Sequence, residues 1–440
     1  MSALAAGAAG RGAASRPSRR GTGASLLALS LVASVAAYAS VGLAETETLP
    51  SDIWTFGALL ALGALAGWFA VRRMAPRADP VLFPTAWLLG GLGLAMLFRL
   101  RPEVANQQAV WLFIGLAVFV AVLLLVRDDR QLDAFTYTIG LAGIGLLLLP
   151  IVPGIGFEIN GARLWARLGP ASFQPAEMGK VLIVVFLASY LSAKRELLVA
   201  GVGRLGLPRV KDLGPLALAW AASLAVLFLE KDLGASLLFF AVFVLMLWVA
   251  TGRAGYLVIG LVLFAIGAVI GYLAFRHVQL RVDYWLHALE PATVHDIGYG
   301  QLAQGWFGMA SGGLVGTGLG QGSPTLIPYV GSDFIFAAFG EELGMIGASA
   351  LLLLYLALIG RGLRVALERT DSFGKLLATG LTSIIALQTF VIVAGVTRLI
   401  PLTGVPLPLV SYGGSSKVAT FAILGLLVRL SAGPWEPSRG

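Results

Sequence analysis

The sequence TGVPLPLVSYGGSS at residues 403–416 constrains how the rest of the chain can fold. It combines three glycines, two prolines and four serine or threonine residues, yet it lies between two long apolar segments. A membrane core offers no water to irregular backbone, so such a stretch exists at membrane depth only where protein buries it or where it lines a cavity. Broken helices of this kind commonly build polar sites inside membrane proteins. The stretch therefore predicts a polar site within a bundle of membrane-spanning helices.

The composition of the whole chain agrees with a membrane protein. Of its 440 residues, 58% are hydrophobic and 12% are charged, which is far from the usage of soluble domains. There is no cysteine, which excludes disulfides and thiol chemistry. Because a span needs roughly 20 apolar residues, the apolar segments predict an all-α polytopic protein with about 12 transmembrane helices. They lie near residues 25–44, 53–71, 81–98, 110–126, 134–153, 178–193, 214–229, 233–251, 255–275, 333–359, 376–397 and 409–430.

The placement of the basic residues predicts the orientation. Most of the 31 Lys and Arg residues fall in segments that are cytosolic when the N-terminus is cytosolic, as the positive-inside rule requires. Both termini are then cytosolic, and the net charge of +8 needs no nucleic-acid partner. Residues 1–24 are predicted as a disordered basic tail and residues 431–440 as a second short tail. The outer side keeps a large loop at 276–332.

A first group of polar residues lies at 160–180, beside the predicted outer interface. Arg163, Trp165 and Arg167 are residue types that anchor helices at an interface, and two arginines can also grip a lipid phosphate. Glu177 and Lys180 are three residues apart at the start of the next helix, so they share one helix face and can pair. An interface ion pair and a substrate site both remain open for them.

A second group lies where the large outer loop becomes a helix. Asp333 stands at this boundary, and as a helix cap it would contribute about 1 kcal/mol. Glu341 and Glu342 follow along the same helix, where buried carboxylates are costly and usually functional. A cap and an active-site acid are both consistent with Asp333 from the sequence.

Two further patterns are weaker. The glycine-rich run at 309–322 lacks the Gly-Lys-Ser/Thr ending of a nucleotide-binding P-loop, and it lies on the predicted outer side. The spacings of His277, His287 and His295 match no familiar metal-ligand pattern, so we expect them at the surface of the outer loop.

These blocks, in this order, resemble the signatures of the SEDS family (shape, elongation, division and sporulation proteins), the FtsW/RodA/SpoVE group. The resemblance extends from about residue 81 to 430 and implies a ten-helix core at 81–430 with an extra helix pair at 25–80. The chain departs from the usual motifs at Lys231 and Gly331, where proline and histidine are common. The extra pair and the Gly-, Ala- and Arg-rich tail suggest an actinobacterial elongation-type member, although the division type stays open.

The resemblance implies a peptidoglycan glycosyltransferase of the bacterial cytoplasmic membrane. Such an enzyme polymerises lipid II into glycan strands at the outer face, with undecaprenyl pyrophosphate as the leaving group. Asp333 matches the family's proposed catalytic residue, and we expect it to act as general base. We expect Arg163, Arg167 and Lys180 to neutralise the pyrophosphate. The other expected substrate-binding residues are Trp165, Glu177, Glu341, Ser411, Ser415 and Ser416.

The resemblance also implies partners. They are a class B penicillin-binding transpeptidase and other proteins of the elongasome or divisome. A divalent cation such as Mg²⁺ or Mn²⁺ stays open, because the sequence holds no ligand cluster that demands one. A lipid II flippase is the main alternative, since broken helices and buried charges also suit transport. A non-catalytic scaffold is the other.

Overall fold

The protein is a bundle of long helices with a small sheet at one end. The structure, a computed structural model, describes residues 19–159, 162–169, 171–199, 221–222, 225–226, 230, 232–294 and 300–433. The α-helices of this part, in chain order, are α1 (Arg19–Thr46), α2 (Ile53–Met74), α3 (Leu82–Leu100), α4 (Pro102–Leu125), α5 (Arg130–Ala134), α6 (Thr136–Leu148), α7 (Pro175–Ala193), α8 (Arg195–Val199), α9 (Leu233–Thr251), α10 (Ala254–Ala274), α11 (Arg276–Leu286), α12 (Pro291–Val294), α13 (Gln301–Gly312), α14 (Ile335–Glu368), α15 (Ser372–Val396) and α16 (Gly414–Ala432).

Ten of the described helices are long and apolar enough to cross a membrane. They are α1 to α4, α7, α9, α10 and α14 to α16. The all-α polytopic class is therefore confirmed, and predicted spans such as 53–71 and 233–251 match α2 and α9 closely. The match follows from the need for about 20 apolar residues per span, which leaves a clear hydropathy signal. The end of the bundle predicted to face outward is called the outer end below.

Two predicted boundaries differ from the structure. Helix α1 begins at Arg19, so the predicted tail of 24 residues is too long, and residues 1–18 lie outside the described part. The predicted span 134–153 is the shorter α6 followed by a 3₁₀ turn at Leu149–Ile151. Pro150 in that turn cannot donate to a helical ladder, which explains the early end. Most of the predicted span 214–229 lies outside the described residues.

The segment before α7 folds into a small antiparallel sheet, which the helix periodicity did not predict. Its strands are β1 (Gly156–Ile159), β2 (Ala162–Leu168) and β3 (Ala171–Phe173), in the order β1-β2-β3. Phe157 pairs with Trp165, and Arg167 pairs with Ser172. Since successive side chains of a strand point to opposite faces, this sheet sorts its residues into an inward and an outward set.

The large outer loop is mostly helical and is tied to the end of α15. It contains α11, α12 and α13. The indole nitrogen of Trp285 donates to the carbonyl of Arg398 (3.0 Å), and that of Trp306 donates to the carbonyl of Val396 (3.1 Å). These bonds satisfy carbonyl groups that a helix end leaves free. The loop is thereby held over the outer end of the bundle.

The centre of the bundle is formed by α3, α15 and α16, while α10 lies at its edge. The most apolar windows of α3, α15 and α16 are each 78% buried, against 11% for α10. The predicted broken stretch is present, because α15 ends at Val396 and α16 begins only at Gly414. Three of its residues have positive φ, namely Arg398, Gly404 and Leu409. Residues 407–411 of this stretch are buried, so this part of the irregular backbone lies inside the protein, as a membrane protein requires.

Candidate active site

The broken segment between α15 and α16 holds the turn that carries Asp333. Ser411 Oγ donates a hydrogen bond to the carbonyl oxygen of Ser332 (2.6 Å). The amide of Tyr412 donates to the carbonyl oxygen of Gly331 (2.8 Å). These two bonds fix the backbone immediately before Asp333.

Asp333 points into the bundle and does not have the role of a helix cap. Phe334, not Asp333, occupies the N-cap position of α14 and is fully buried. A Cβ at Gly404 would lie 3.6 Å from Asp333 Oδ2. Gly404 also has φ +74°, a conformation that L side chains rarely adopt. The positive φ therefore favours glycine at position 404, and a Cβ there would be in ordinary contact with the carboxylate.

Arg281 reaches the same place from α11. The same Cβ at Gly404 would lie 3.5 and 3.7 Å from two guanidinium nitrogens of Arg281. One of them, Nη1, also donates to the carbonyl oxygen of Leu402 (2.8 Å). A cation from the outer loop and the carboxylate of Asp333 thus converge on the broken segment.

A polar cavity of about 80 Å³ lies beside this pair, at the outer ends of α7 and α9. Its charged lining residues are Glu177, Lys180, Asp232 and Arg281. Lys180 Nζ lies 2.8 Å from Glu177 Oε1, and both side chains are nearly inaccessible to solvent. The structure thus shows Glu177 and Lys180 as an ion pair of the cavity wall, and their role as a substrate site stays a prediction. Residues 403–406 of the broken segment close the other side.

Burial governs the ionisation of the two aspartates. It raises the pKa of the Asp333 carboxyl above its ordinary value, while Arg281 and a hydrogen bond from the Ser332 side chain oppose the rise. Burial also raises the pKa of Asp232, opposed by the Ala235 amide, which donates to Asp232 Oδ1 (2.9 Å), and then by Arg281 and Lys180. Arg281 is therefore the cation that acts on both carboxylates.

The arginines of the hairpin lie on the other side of the sheet from the cavity. Leu164 lines the cavity and Ala166 is fully buried, so the alternation of β2 directs its odd-numbered side chains outward. Arg163 lies near Glu158 (3.5 Å), and the guanidinium of Arg167 covers the Phe157 ring at 4.7 Å. The expected grouping of Arg163 and Arg167 with Lys180 is not what the structure shows, because the strand period separates their faces. Trp165 shares the outward face.

The predicted serines and Glu341, unlike Glu177, bond to the surrounding protein and do not line the cavity. Ser415 Oγ accepts from the amide of Gln174 (2.9 Å), and Ser416 Oγ accepts from Gln388 Nε2 (3.3 Å). Glu341 Oε1 accepts from the amide of Ser323 (2.7 Å). Each of these groups is engaged with the protein itself, which makes it part of the scaffold around Asp333.

Arg281 and Asp232 were not among the site residues expected from the sequence. Asp232 begins the sequence Asp-Leu-Gly at 232–234, which turn chemistry alone explains, and Arg281 belongs to a long loop. One signal was present: Arg281 lies between Val278 and Val282, an i,i+4 apolar pair that predicts an amphipathic helix packed on the bundle. An arginine flanked in this way is directed toward protein as much as toward solvent.

An apolar groove of about 330 Å³ adjoins the polar cavity. It lies between α9, α10 and α11, and Thr403 lines both spaces. Its wall includes Phe240, Phe264 and Val278. A polar cavity with two cations and an apolar groove are therefore neighbours that share Thr403.

Comparison with known sequences gives the family. A model of the FtsW/RodA/SpoVE cell cycle proteins matches residues 94–434. The chain is 46% identical over 438 residues to the peptidoglycan glycosyltransferase RodA of Mycobacterium tuberculosis, covering 96% of this chain and 92% of that protein. It is 33% identical over 340 residues to a probable peptidoglycan glycosyltransferase FtsW of Geobacter metallireducens, covering 74% and 84%. The mycobacterial match includes the residues before position 94.

Solved structures agree with the sequence comparison. A chain from a study described as structural coordination of polymerization and crosslinking by a peptidoglycan synthase complex has a TM-score of 0.64 and 28% identity, covering 80% of this chain and 97% of that chain. The rod shape determining protein RodA of Thermus thermophilus has a TM-score of 0.56 and 28% identity, covering 82% and 98%. The chain therefore belongs to the FtsW/RodA/SpoVE family of multi-pass membrane proteins.

Proposed function

We propose that this chain is a peptidoglycan glycosyltransferase that polymerises lipid II into glycan strands at the outer face of the cytoplasmic membrane. Relatives at 46% and 43% identity, each matched over 96% of this chain, are named peptidoglycan glycosyltransferase RodA. The observation that carries the finer proposal is the polar cavity in which Lys180, Arg281 and Asp232 lie beside Asp333. This grouping supports the proposal, because an attacking hydroxyl needs a base and a leaving diphosphate needs cations.

Asp333 is the proposed general base. The acceptor sugar hydroxyl gives its proton to the Asp333 carboxylate as its oxygen attacks the anomeric carbon of the donor sugar. The bond from that carbon to the pyrophosphate oxygen breaks, and undecaprenyl pyrophosphate leaves with the electron pair. The raised pKa supports this role, because a base works best when its pKa lies closer to the operating pH.

Lys180 and Arg281 are the proposed partners of the leaving pyrophosphate. Negative charge develops on the pyrophosphate oxygen as the bond breaks, and fixed cations in a water-poor cavity stabilise that charge strongly. Glu177 holds Lys180, and the Leu402 carbonyl holds Arg281, so both cations are oriented before substrate binds. They take the role that the sequence had assigned to the hairpin arginines together with Lys180.

The apolar groove is the proposed place for the isoprenoid chain of the lipid substrate. Its lining is almost wholly apolar and it opens beside the cavity at Thr403. A lipid whose tail occupies the groove therefore has its pyrophosphate beside Lys180 and Arg281. Tail burial would supply the binding energy that holds the reacting carbon in place.

The described residues do not fit a resident divalent cation. They contain no group of three histidine, aspartate or glutamate side chains that could hold a metal ion, although His295 and Asp296 lie outside the described part. One carboxylate oxygen of Asp232 also accepts a hydrogen bond from the Ala235 amide. We propose that Mg²⁺ or Mn²⁺, if the reaction uses one, arrives on the substrate pyrophosphate. The departure of the pyrophosphate, as proposed above, uses only Arg281 and Lys180 as cations.

A class B penicillin-binding transpeptidase is the proposed partner. The similar chain from a peptidoglycan synthase complex supports this, because that complex couples polymerization to crosslinking. We also propose that both termini face the cytosol, on the distribution of Lys and Arg among the loops. The polar cavity then opens where strands are made, outside the membrane.

Purified chain with its cognate transpeptidase, supplied with lipid II, tests the proposal. We expect glycan strands on a gel and one undecaprenyl pyrophosphate released for each new bond. The flippase alternative is less well supported, since the polar cavity lies at one end of the bundle. Movement of labelled lipid II across vesicles containing the chain, with no strands formed, would favour the flippase and contradict the proposal.

A further inference from the structure

The glycine-rich loop at residues 313–323 forms hydrogen bonds with α14 at the point where that helix is interrupted. Gly344 has φ +67° and ψ −170°, so the helical ladder is interrupted there. The amides of Thr317 and Gly318 donate to the carbonyls of Glu341 and Glu342 (3.0 and 2.9 Å). Backbone groups freed by the break are thereby paired with the loop, as buried backbone groups must be. The loop is consequently held against α14 by backbone hydrogen bonds.

Two buried carboxylates of α14 also grip this loop. Glu341 Oε1 accepts from the amide of Ser323 (2.7 Å), and Glu342 Oε2 accepts from the amide of Gly320 (3.0 Å). The side chain of Glu342 is fully buried. Buried carboxylates need a counter-charge, or the cost of removing them from water is not recovered.

Arg99, at the outer end of α3, supplies that counter-charge and contacts the loop itself. Its Nε lies 3.2 Å from Glu342 Oε1, and its Nη2 donates to the carbonyl of Gly322 (3.0 Å). The same turn of α3 supports the next part of the chain, because a Cβ at Gly331 would lie 3.1 Å from Arg101 and 3.2 Å from Leu97. Helix α3 therefore contacts both ends of segment 322–331, which leads directly to Asp333.

The third contact of Arg99 is made by α1, which precedes the family match. Arg99 Nη1 lies 2.9 Å from Glu45 Oε1. Helix α1 also packs on the loop directly, since a Cβ at Gly320 would lie 2.8 Å from the Cβ of Ala44. Gly320 has φ +83°, so this close approach depends on glycine. Helix α1 thus contacts the same loop by charge and by packing.

We propose that Glu45 and Arg99 are positioning residues for Asp333. Glu45 fixes the guanidinium of Arg99, Arg99 fixes Glu342 and Gly322, and segment 322–331 then sets where the Asp333 carboxylate stands against Arg281. The extra N-terminal helix is in this way part of the active-site scaffold. The inference rests on the proposed role of Asp333, because an effect on polymerisation is read through that residue.

Glu45→Gln tests this with little risk to folding, because the side chain lies at the rim and glutamine keeps its shape. We expect kcat to fall about tenfold with KM for lipid II unchanged, since small misplacement of a reacting group costs rate more than binding. The acidic limb of the pH profile should also shift, because the distance from Asp333 to Arg281 changes. Glu47→Gln, an equal charge change at an exposed residue just beyond the end of α1, should leave kcat and the acidic limb unchanged.

A double-mutant cycle with Arg99→Lys checks that Glu45 acts through Arg99. In the Arg99→Lys background we expect Glu45→Gln to lower kcat by less than about twofold, since coupled residues are non-additive. If Glu45→Gln lowered kcat about tenfold in the Arg99→Lys background as well, the proposal that Glu45 acts through Arg99 would be wrong. A fall in kcat shared by Glu47→Gln would overturn it as well.

Amide hydrogen exchange separates this inference from the proposed reaction, because it needs no activity. We expect Glu45→Gln to speed exchange at the Gly320 and Ser323 amides by several-fold, as local opening becomes easier. Unchanged exchange would overturn the inference even if polymerisation fell. Faster exchange with normal kcat would overturn the link to Asp333. A wild-type protein that made no strands would count against the proposed reaction, while the exchange result would still decide whether Glu45 holds the loop.

Discussion

Two pairs of basic residues lie at the outer end of this protein in opposite surroundings. Arg163 and Arg167 project from the hairpin, and Arg163 is 57% exposed beside Glu158, which is 43% exposed. Lys180 and Arg281 line a cavity, where Lys180 is only 6% exposed and bonded to Glu177. Charges in water are screened, whereas charges in a water-poor cavity act strongly on a neighbouring phosphate or carboxylate. From this comparison we expect burial, more than the number of arginines in a motif, to decide which cations serve the proposed reaction.

Replacing Arg281 should give the larger loss. We expect Arg281→Gln to lower kcat/KM for lipid II by about a hundredfold or more, since loss of one stabilising group at developing charge costs roughly that much. Strand formation measured with purified protein and its transpeptidase provides the test. Arg163→Gln removes the same kind of charge from the hairpin and is the matched control. Equal losses in the two variants would contradict the distinction between the pairs.

Replacing Lys180 should give a smaller but clear loss. We expect Lys180→Gln to lower kcat about thirtyfold, because Arg281 still neutralises part of the pyrophosphate charge. The substitution leaves buried Glu177 without its cation, so the double variant Lys180→Gln/Glu177→Gln serves as the folding control. If the double variant recovered full activity, Lys180 would be a mere partner of Glu177. Thermal unfolding of both variants should be recorded beside their rates.

The pH dependence should separate the pairs by a smaller effect. Asp333 must be ionised to accept a proton, so activity is lost as pH falls through its raised pKa, which lies above the ordinary value of 3.8. Arg281 lowers that pKa, so Arg281→Gln should move the acidic limb of kcat/KM to higher pH. Arg163→Gln should leave the limb in place. If the acidic limb of kcat/KM moved to lower pH in Arg281→Gln, the result would contradict the proposed effect of Arg281 on the pKa of Asp333.

Neutralising the hairpin should have the smallest effect. We expect Arg163→Gln/Arg167→Gln to change kcat by less than about threefold, because an exposed ion pair contributes little. The Phe157 ring loses its cation contact with Arg167, which should cost at most about 1 kcal/mol of stability. A loss of activity as large as that of Arg281→Gln would return the hairpin to the pyrophosphate site.

Hydropathy predicted most of the fold because the membrane imposes a length on each span. Segments 53–71, 233–251 and 376–397 appear as α2, α9 and α15 within a few residues. The early end of α6 and the sheet β1 to β3 were not predicted. Pro150 ends α6 early, and the sheet depends on pairing between neighbouring strands of a hairpin, which hydropathy does not report.

Part of the grouping of polar residues was predicted. Asp333, Glu177 and Lys180 lie at helix ends beside the broken segment, and their roles in the reaction stay predictions. Arg281 was missed because its place depends on how a loop helix folds back on the bundle, which local pattern does not encode. Strand pairing likewise decides which side of the sheet Arg163 and Arg167 face. The motif therefore indicated that they lie near the cavity, but not that they point away from it.

Asp333→Asn tests the central claim most directly, with the purified chain and its transpeptidase acting on lipid II. Asparagine keeps the size of the side chain but cannot act as a base. We expect strands from the wild type and at least a hundredfold fewer from the variant, at equal expression and thermal stability. Asp283→Asn, at an exposed acid of the same outer loop, should stay fully active. Strands formed equally by Asp333→Asn and the wild type would contradict the account.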